Sequence, residues 1–490
     1  MEFGGKLRSG VVAGVALGAM AVLVYFGNGL EPRWPLMWLA PVPVLLYALR
    51  SSAWRAGVVA FAAMLVGCLN FRDYFRILGA PLVAWGLTFG LEALVFAAAV
   101  LLLRALARRG TVWSAWLALP AMWVAFEYVR NLWLWPHGSA ACLAYSQLNF
   151  LPFLQLASLT GPWGMSFVLL LFAAGLALAM HLWGSERRRA VQVLCATLAI
   201  VAAVLVFGAV RLAGRQPGPE VRVGLVASDT GKNWLPAQPG AAAQRLFQEY
   251  AEQAGGLMAR GAQVVVIPEN LGVVTEADAA PVDAIFQTIV DRHGAMLVAG
   301  VNDATGRVAY NEARIYAPGV PVRTYHKHHL LPSFETRTFT PDHGRLVFSG
   351  VGAAASDRWG VEICKDMDFT EPARGYGRAG VGLMLTPGWD FIVDAFWHGH
   401  IAVMRAVEDG FSLVRAAKHS TLLVTNDRGR VIAETASGSA PFATLLADVP
   451  AGHDGTLFQM WGDWFGWVAV GLLVIVLARL AVGGRKATKN

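Results

Sequence analysis

Two kinds of hydrophobic pattern divide the chain. Long apolar runs, of the length that spans a bilayer as helix, fall at 10–27, 33–49, 56–75, 80–103, 112–130, 163–183 and 190–212, with an eighth at 463–482. Between them, from 221 to 425, the apolar runs are short and rich in β-branched residues: "VRVGLVA" (221–227), "QVVVIP" (263–268), "AMLVAGV" (295–301), "VEIC" (361–364), "VGLMLTP" (381–387) and "TLLVT" (421–425). Stretches of helical period, 241–261 and 396–410, lie among them. Strands alternating with helices predict an α/β layered domain. The Pro/Gly stretch "GRQPGPE" (214–220) marks the switch between patterns.

The reading is therefore a multi-pass helical membrane domain over 1–213, an α/β domain over 214–462, and a closing transmembrane helix with its tail over 463–490. Lys6 and Arg8 before the first run resemble the start of a signal peptide. No small-residue cleavage site follows, and more spans come at once, so a retained helix is expected.

Composition agrees: 56% of the 490 residues are hydrophobic and 15% charged, against about 25% charged in ordinary soluble domains. The formal net charge of +7 raises the question of nucleic acid, but the basic residues follow membrane topology. Lys6, Arg8, Arg50, Arg55, Arg104, Arg108, Arg109, Arg187, Arg188, Arg189, Arg485, Lys486 and Lys489 fall on one side of the alternating spans. Arg33, Arg72, Arg76 and Arg130 fall on the other. The first set marks the cytoplasmic side, which places 214–462 outside the cytoplasm and removes the need for a nucleic-acid partner. Three of the four cysteines, Cys68, Cys142 and Cys195, lie in or beside apolar segments, so no disulfide framework is visible.

Several polar residues interrupt these patterns. Glu92 sits inside an apolar run, where an acid faces either a cavity or a partner on another helix. The aromatic, nearly uncharged stretch 127–164 suits the membrane interface, as an anchor or as the lipid-facing part of a site. In the α/β domain, Glu269 ends "VVVIPEN", Lys327 and Glu335 lie in "YHKHHLLPSFE", and Cys364 ends "VEIC". Functional groups gather at the C-terminal ends of strands in such folds. A carboxylate can take the proton of a thiol, and a lysine can stabilise the oxyanion that follows. Singly, Glu269 reads as a helix cap, Lys327 as a solvated charge and Cys364 as a core residue. Together they suffice for acyl transfer through a thioester.

The run "PE", "KHHLLPSFE" and "GVEICKDMDFTEPAR" resembles the nitrilase superfamily. Combined with seven helices before the domain and one after it, the whole chain resembles the apolipoprotein N-acyltransferases of the bacterial inner membrane. "EYVRN…WP…LAYSQ" and "MRAVEDGFSLVRA" (404–416) share in that resemblance. It implies an αββα sandwich on the periplasmic side of a multi-pass protein. It also implies Glu269 as general base, Lys327 as the residue that stabilises the intermediate, Cys364 as nucleophile and Glu335 as the lysine's support. Trp234 in "GKNW" and Trp389 in "TPGWDF" are the implied substrate contacts. The implied reaction moves an acyl chain from a phospholipid to the N-terminal amine of a diacylglyceryl-cysteine lipoprotein, in a monomer without cofactor. The chain departs from the family at Asn270, Ser333, Phe334, Lys365, "TPGWDF" and "AAKHSTLLV" (416–424). These departures leave room for a membrane-anchored amidase or an N-acyltransferase with another amine acceptor. The conserved chemistry argues against a non-catalytic scaffold.

"HKHH" (326–329) and "HGH" (398–400) lack the partners of a HExxH or paired CxxC site, so no metal is expected. "GVGAAA" (350–355) reads as a turn rather than a dinucleotide loop, and the spans show no repeat of the kind transporters carry.

Overall fold

A computed structural model describes residues 2–133, 138–230 and 235–487. The chain forms two compact units: Met1–Trp135, Ala141–Val210 and Asp463–Asn490 make the first, Pro136–Ala140 and Arg211–Gly462 the second.

In the first unit and at its borders, seven helices among the described residues are long and apolar enough to cross a membrane: Gly10–Gly27, Ala53–Ile77, Leu82–Arg108, Val112–Trp133, Ala157–Leu182, Arg187–Ala213 and Trp464–Val482. The predicted span 33–49 is instead two short helices, Trp34–Leu39 and Val42–Arg50. Pro41 and Pro43 withhold the amides that would carry one helix through. The broken pair still runs back along the first helix. At one end the Arg33 amide bonds the Phe26 carbonyl at 2.8 Å. At the other, Pro43, Leu46 and Tyr47 share a cleft with Val12, Val15 and Ala16, and the Arg104 and Arg108 side chains hold the Ser51 carbonyl at 2.7 and 3.1 Å.

Glu92 has a partner, an ion pair with Arg130 from the next helix, as an acid in an apolar run requires. Of the stretch expected at the interface, Val129, Leu132 and Trp133 are exposed, 134–137 lie outside the described residues, and the part from Gly138 to Leu148 is packed inward. Its turn Leu143–Gln147 is buried, Glu127 accepts the Leu143 amide at 2.7 Å, and Gln147 accepts Trp38 Nε1 at 2.8 Å. The following helix begins at Ala157, before the predicted 163, with a kink at Gly161.

The second unit has thirteen strands: β1 Glu220–Ala227, β2 Val264–Val266, β3 Val273–Thr275, β4 Met296–Ala304, β5 Tyr310–Ala317, β6 Val320–His326, β7 Val347–Ser349, β8 Arg358–Val361, β9 Val381–Trp389, β10 Ser412–Lys418, β11 Thr421–Thr425, β12 Val431–Ala436 and β13 Ala443–Pro450. One sheet runs β13-β1-β2-β4-β5-β6 with β3 against β4; the other runs β12-β11-β10-β9-β8-β7. The central strands β1, β2 and β4 are parallel, as are β8, β9 and β10.

Strand alternation builds the layers. Val221, Val223 and Leu225 turn inward and meet Val361, Leu383, Leu385, Val414 and Val424 of the other sheet. Val226, Val265 and Leu297 turn outward onto helices 241–259 and 276–293, which supply Phe247, Tyr250 and Phe286. Helices Ala373–Arg378 and Ala395–Asp409 cover the second sheet. The result is an αββα sandwich. Strands β3, β5, β6, β7, β10, β12 and β13 were not read from the sequence. β6, "VPVRTYH", leaves most of its side chains at least partly exposed, so no continuous apolar run announces it.

Gly138–Ala140, a short turn from between two membrane-type helices, lies within this second unit. Ser139 Oγ accepts Arg405 Nη1 at 3.0 Å and donates to the Asp368 carbonyl at 3.3 Å.

Candidate active site

Three strand ends converge. β2 ends at Val266, and Glu269 follows after Ile267 and Pro268. Its backbone lies so close to Gly300 of β4 that any Cβ there would collide with it. Lys327 follows β6 directly, its amide bonded to the Asn311 carbonyl at 2.9 Å. β8 ends at Val361, short of the predicted 364, and Cys364 opens a tight 3-10 turn, Cys364–Asp368.

Backbone strain marks the same place. Among the described residues the only non-glycine positions with positive φ are Asn270 (52°), Ser333 (66°), Cys364 (46°) and His419 (56°). All four lie in the segments that build the site, where costs of about 1–3 kcal/mol each are tolerated for geometry.

The charged set is compact. Lys327 Nζ donates to Glu269 Oε1 at 2.6 Å and to both Glu335 oxygens at 2.9 Å. Asn311 Nδ2 bridges the same two carboxylates at 2.6 Å each. The Leu331 amide fixes Glu335 Oε2 at 2.7 Å, whereas Glu269 Oε2 has no hydrogen-bond partner among the described residues. One ammonium between two carboxylates leaves a net negative charge. Burial opposes the Lys327 charge, but Glu269 and Glu335 outweigh it and hold the lysine well above its ordinary value. Burial also raises Glu269, against the pull of Lys327. A carboxylate raised in this way is better suited to accept a proton.

Cys364 is 8% exposed and belongs to the inter-sheet core as well as to the cavity wall. The expectation that it is a reactive residue instead of a core residue was too sharp a division. Burial, reinforced by the Glu269 charge, pushes its thiol up, so the resting sulfur keeps its proton. The thiol faces the Trp389 carbonyl at 3.4 Å and Asp390 Oδ1 at 3.8 Å.

These groups open into a cavity of about 390 Å³ whose walls include Leu331, Phe334, Phe339, Trp389 and Phe391. Glu269, Lys327, Glu335, Cys364 and Trp389 all border it. Trp234 lies outside the described residues.

Other residues of the site were not found from sequence. Asn311, on β5, is the bridge just described. Asp366 ties the cysteine turn to the lysine loop: it accepts the Ile363 amide at 3.2 Å, the His328 and His329 amides at 3.1 and 2.8 Å, and the Tyr325 hydroxyl at 2.8 Å. Burial opposes its charge, and His329 with the other cations holds it below the ordinary aspartate value. Asp390 beside the thiol is paired with Arg415 at 2.6 Å and with His398 at 3.4 Å. The histidines of the two His-rich motifs serve as such partners: His326 with Glu312 and Asp342, His329 with Asp366, His398 with Asp394 at 2.9 Å.

Replacing Asn311 with leucine removes the bridge and keeps the volume. Hydrogen bonds to charged groups are worth about 1.5–3 kcal/mol, so Cys364 acylation is expected to slow about 10- to 100-fold. Intact-mass kinetics of the acyl adduct measures this, with thermal unfolding as the check on folding.

Residues 17–175 match the family model of the apolipoprotein N-acyltransferase N-terminal domain, and 222–458 match that of carbon-nitrogen hydrolase. An apolipoprotein N-acyltransferase of Gloeobacter violaceus is 26% identical, covering 93% of this chain and 92% of its own. One from Geobacter metallireducens is also 26% identical, covering 97% and 96%. Among solved structures, an amidase from Nesterenkonia sp. superposes with a TM-score of 0.41 at 21% identity, over 48% of this chain and 92% of that one.

Proposed function

Because the chain belongs to the apolipoprotein N-acyltransferase family, a membrane branch of the nitrilase superfamily, we propose that it carries an acyl chain from a phospholipid, through a thioester on Cys364, to the N-terminal amine of a diacylglyceryl-cysteine lipoprotein. The observation that carries this reading is the Glu269–Lys327–Glu335 set closed over a buried cysteine in an apolar-walled cavity.

Each step uses a named group. Cys364 sulfur attacks the ester carbonyl of the donor as Glu269 takes the thiol proton. Lys327 stabilises the tetrahedral oxyanion. Collapse expels the glycerol oxygen, which takes the proton back from Glu269, and leaves the thioester. The neutral amine of the acceptor then attacks. Glu269 takes one of its protons and returns it to the departing sulfur, which releases the amide. Glu335 and Asn311 hold Lys327 and Glu269 in register, and Trp389 forms part of the acyl-side wall.

The protein acts as a monomer in the bacterial inner membrane, with 214–462 at the periplasmic face. Two features support that orientation. The broken pair 34–50 runs the depth of the helical unit, which makes an odd number of passes before residue 214, and the Lys and Arg residues of the connecting segments fall mainly on the N-terminal side of the alternating spans.

The test supplies the purified protein with a phospholipid labelled in its acyl chain and a diacylglyceryl-cysteine peptide. Label is expected on the peptide's N-terminus in a hydroxylamine-resistant amide. Label that appears only as free fatty acid, or on simple amines but not on this peptide, would replace the lipoprotein reading with the amidase or other-acceptor reading.

A further inference from the structure

Lys418 is a buried cation that the mechanism above does not use. It ends β10 as the parallel partner of Trp389 on β9, and it is 1% exposed. Among the described residues its ammonium makes no hydrogen bond or close ion pair; it lies over the face of the Trp389 indole, whose centroid is 3.6 Å from Nζ. A buried ammonium without a carboxylate partner costs stability, and a methionine of similar length would fill the space without that cost.

The residue beneath it is held at three points. Lys418 covers the indole face, Trp389 Nε1 donates to His419 Nδ1 at 2.9 Å, and the Trp389 carbonyl accepts the Cys364 thiol at 3.4 Å. His419 is itself fixed in its left-handed conformation by its amide, which donates to Asp229 Oδ1 at 2.8 Å. Trp389 thus joins the cavity wall to the sulfur through its own backbone.

We propose that Lys418 is a positioning residue for acyl transfer: its ammonium clamps the Trp389 indole at the cavity wall and so fixes the carbonyl that orients the Cys364 thiol. The inference rests on Cys364 being the nucleophile. The clamp needs a charge, because the attraction is that of a cation for the ring. Burial pulls the Lys418 ammonium down to about 8, partly opposed by the Glu269 and Asp229 charges. The other groups around the clamp are His419 and, beyond it, Asp390. As pH rises through about 8 the amine becomes neutral and the clamp is lost, so acylation should fall on the alkaline side. The sign for stability is opposite. The folded state releases this proton before the unfolded state does, so stability contributed by this group increases with pH above about 8.

The experiment compares full-length wild type with Lys418→Met and Lys418→Arg in phosphatidylglycerol–phosphatidylethanolamine vesicles. It follows Cys364 acylation by intact mass between pH 6 and 9.5 (about the window the shift defines), with thermal unfolding alongside. Lys418→Met is expected to melt no lower than wild type at neutral pH, to acylate about 3- to 10-fold more slowly, and to lose the alkaline fall. Lys418→Arg, always charged, should recover the rate and carry it flat through pH 9.5. Wild-type rate and pH profile in Lys418→Met would overturn the proposal, as would slowing that merely tracks a lower melting temperature. An adduct absent from wild type itself would sink the thioester reading together with the inference built on it. An adduct that forms equally in all three proteins sinks the inference alone.

Discussion

Cys364→Ala, incubated with phospholipid, should show no acyl adduct, while wild type gains the mass of one acyl chain that hydroxylamine removes. The expected loss is complete within detection, because Cys364 is the only thiol among the described residues that line the cavity. The substitution removes one buried sulfur from the edge of the inter-sheet core, so the protein should still fold. It also relieves a non-glycine residue at positive φ of nothing but its thiol, and the turn keeps its Asp366 anchors. An adduct that persists in Cys364→Ala would move the nucleophile elsewhere. No adduct on well-folded wild type, across several phospholipids, would remove the lipid donor.

The second large effect belongs to Lys327→Met. Among the described residues, its ammonium is the one cation directly bonded to both Glu269 and Glu335. Without it two buried carboxylates face each other across Asn311. Breaking a buried ion pair by removing one partner costs about 3–5 kcal/mol, and the oxyanion loses its stabiliser, so acylation should fall below detection. The stability deficit has a pH signature. Burial already raises Glu269 in the wild type against the pull of Lys327, and without that pull its folded value lies further above the unfolded one. Its protonation therefore supports the fold below about pH 4, and that support is lost as pH rises through the raised value. The gap in melting temperature between wild type and Lys327→Met should widen from pH 5 to pH 8. A gap that stays constant or narrows would mean that the lysine does not compensate these charges.

How much of this was visible in the sequence depends on which physics left a trace. Membrane helices wrote themselves as long apolar runs, except at 34–50, where prolines broke a run whose composition looked continuous. The inner strands β1, β2, β4 and β9 are buried on both faces and read as unbroken apolar segments. β6 and β12, at sheet edges and half exposed, did not, and neither did the inner strand β10, where Ser412, Arg415 and Lys418 interrupt the apolar run. Glu269 and Cys364 were legible as candidates because each ends an apolar run, and Lys327 because its loop shares in the family resemblance, β6 before it having left no signal. Asn311, Asp366 and Lys418 were not. Their importance lies in partners 24 to 42 positions away or on a neighbouring strand, and no spacing rule reports a bridge between loops. The departure "AAKHSTLLV" did point at Lys418 as an unusual residue, but only the packing of Trp389 says what an unpaired lysine does there.

The turn Gly138–Ala140 bears on inheritance as well as on packing. It is encoded among the membrane helices, yet Ser139 closes onto Asp368 at the end of the nucleophile's own turn. A gene fragment starting at Arg211 would specify both sheets and every proposed catalytic group and still lack a piece of the enzyme. The hydrolase-like half is thus not a module that recombination could lift out whole, because its own compact unit includes a turn encoded between two membrane-type helices.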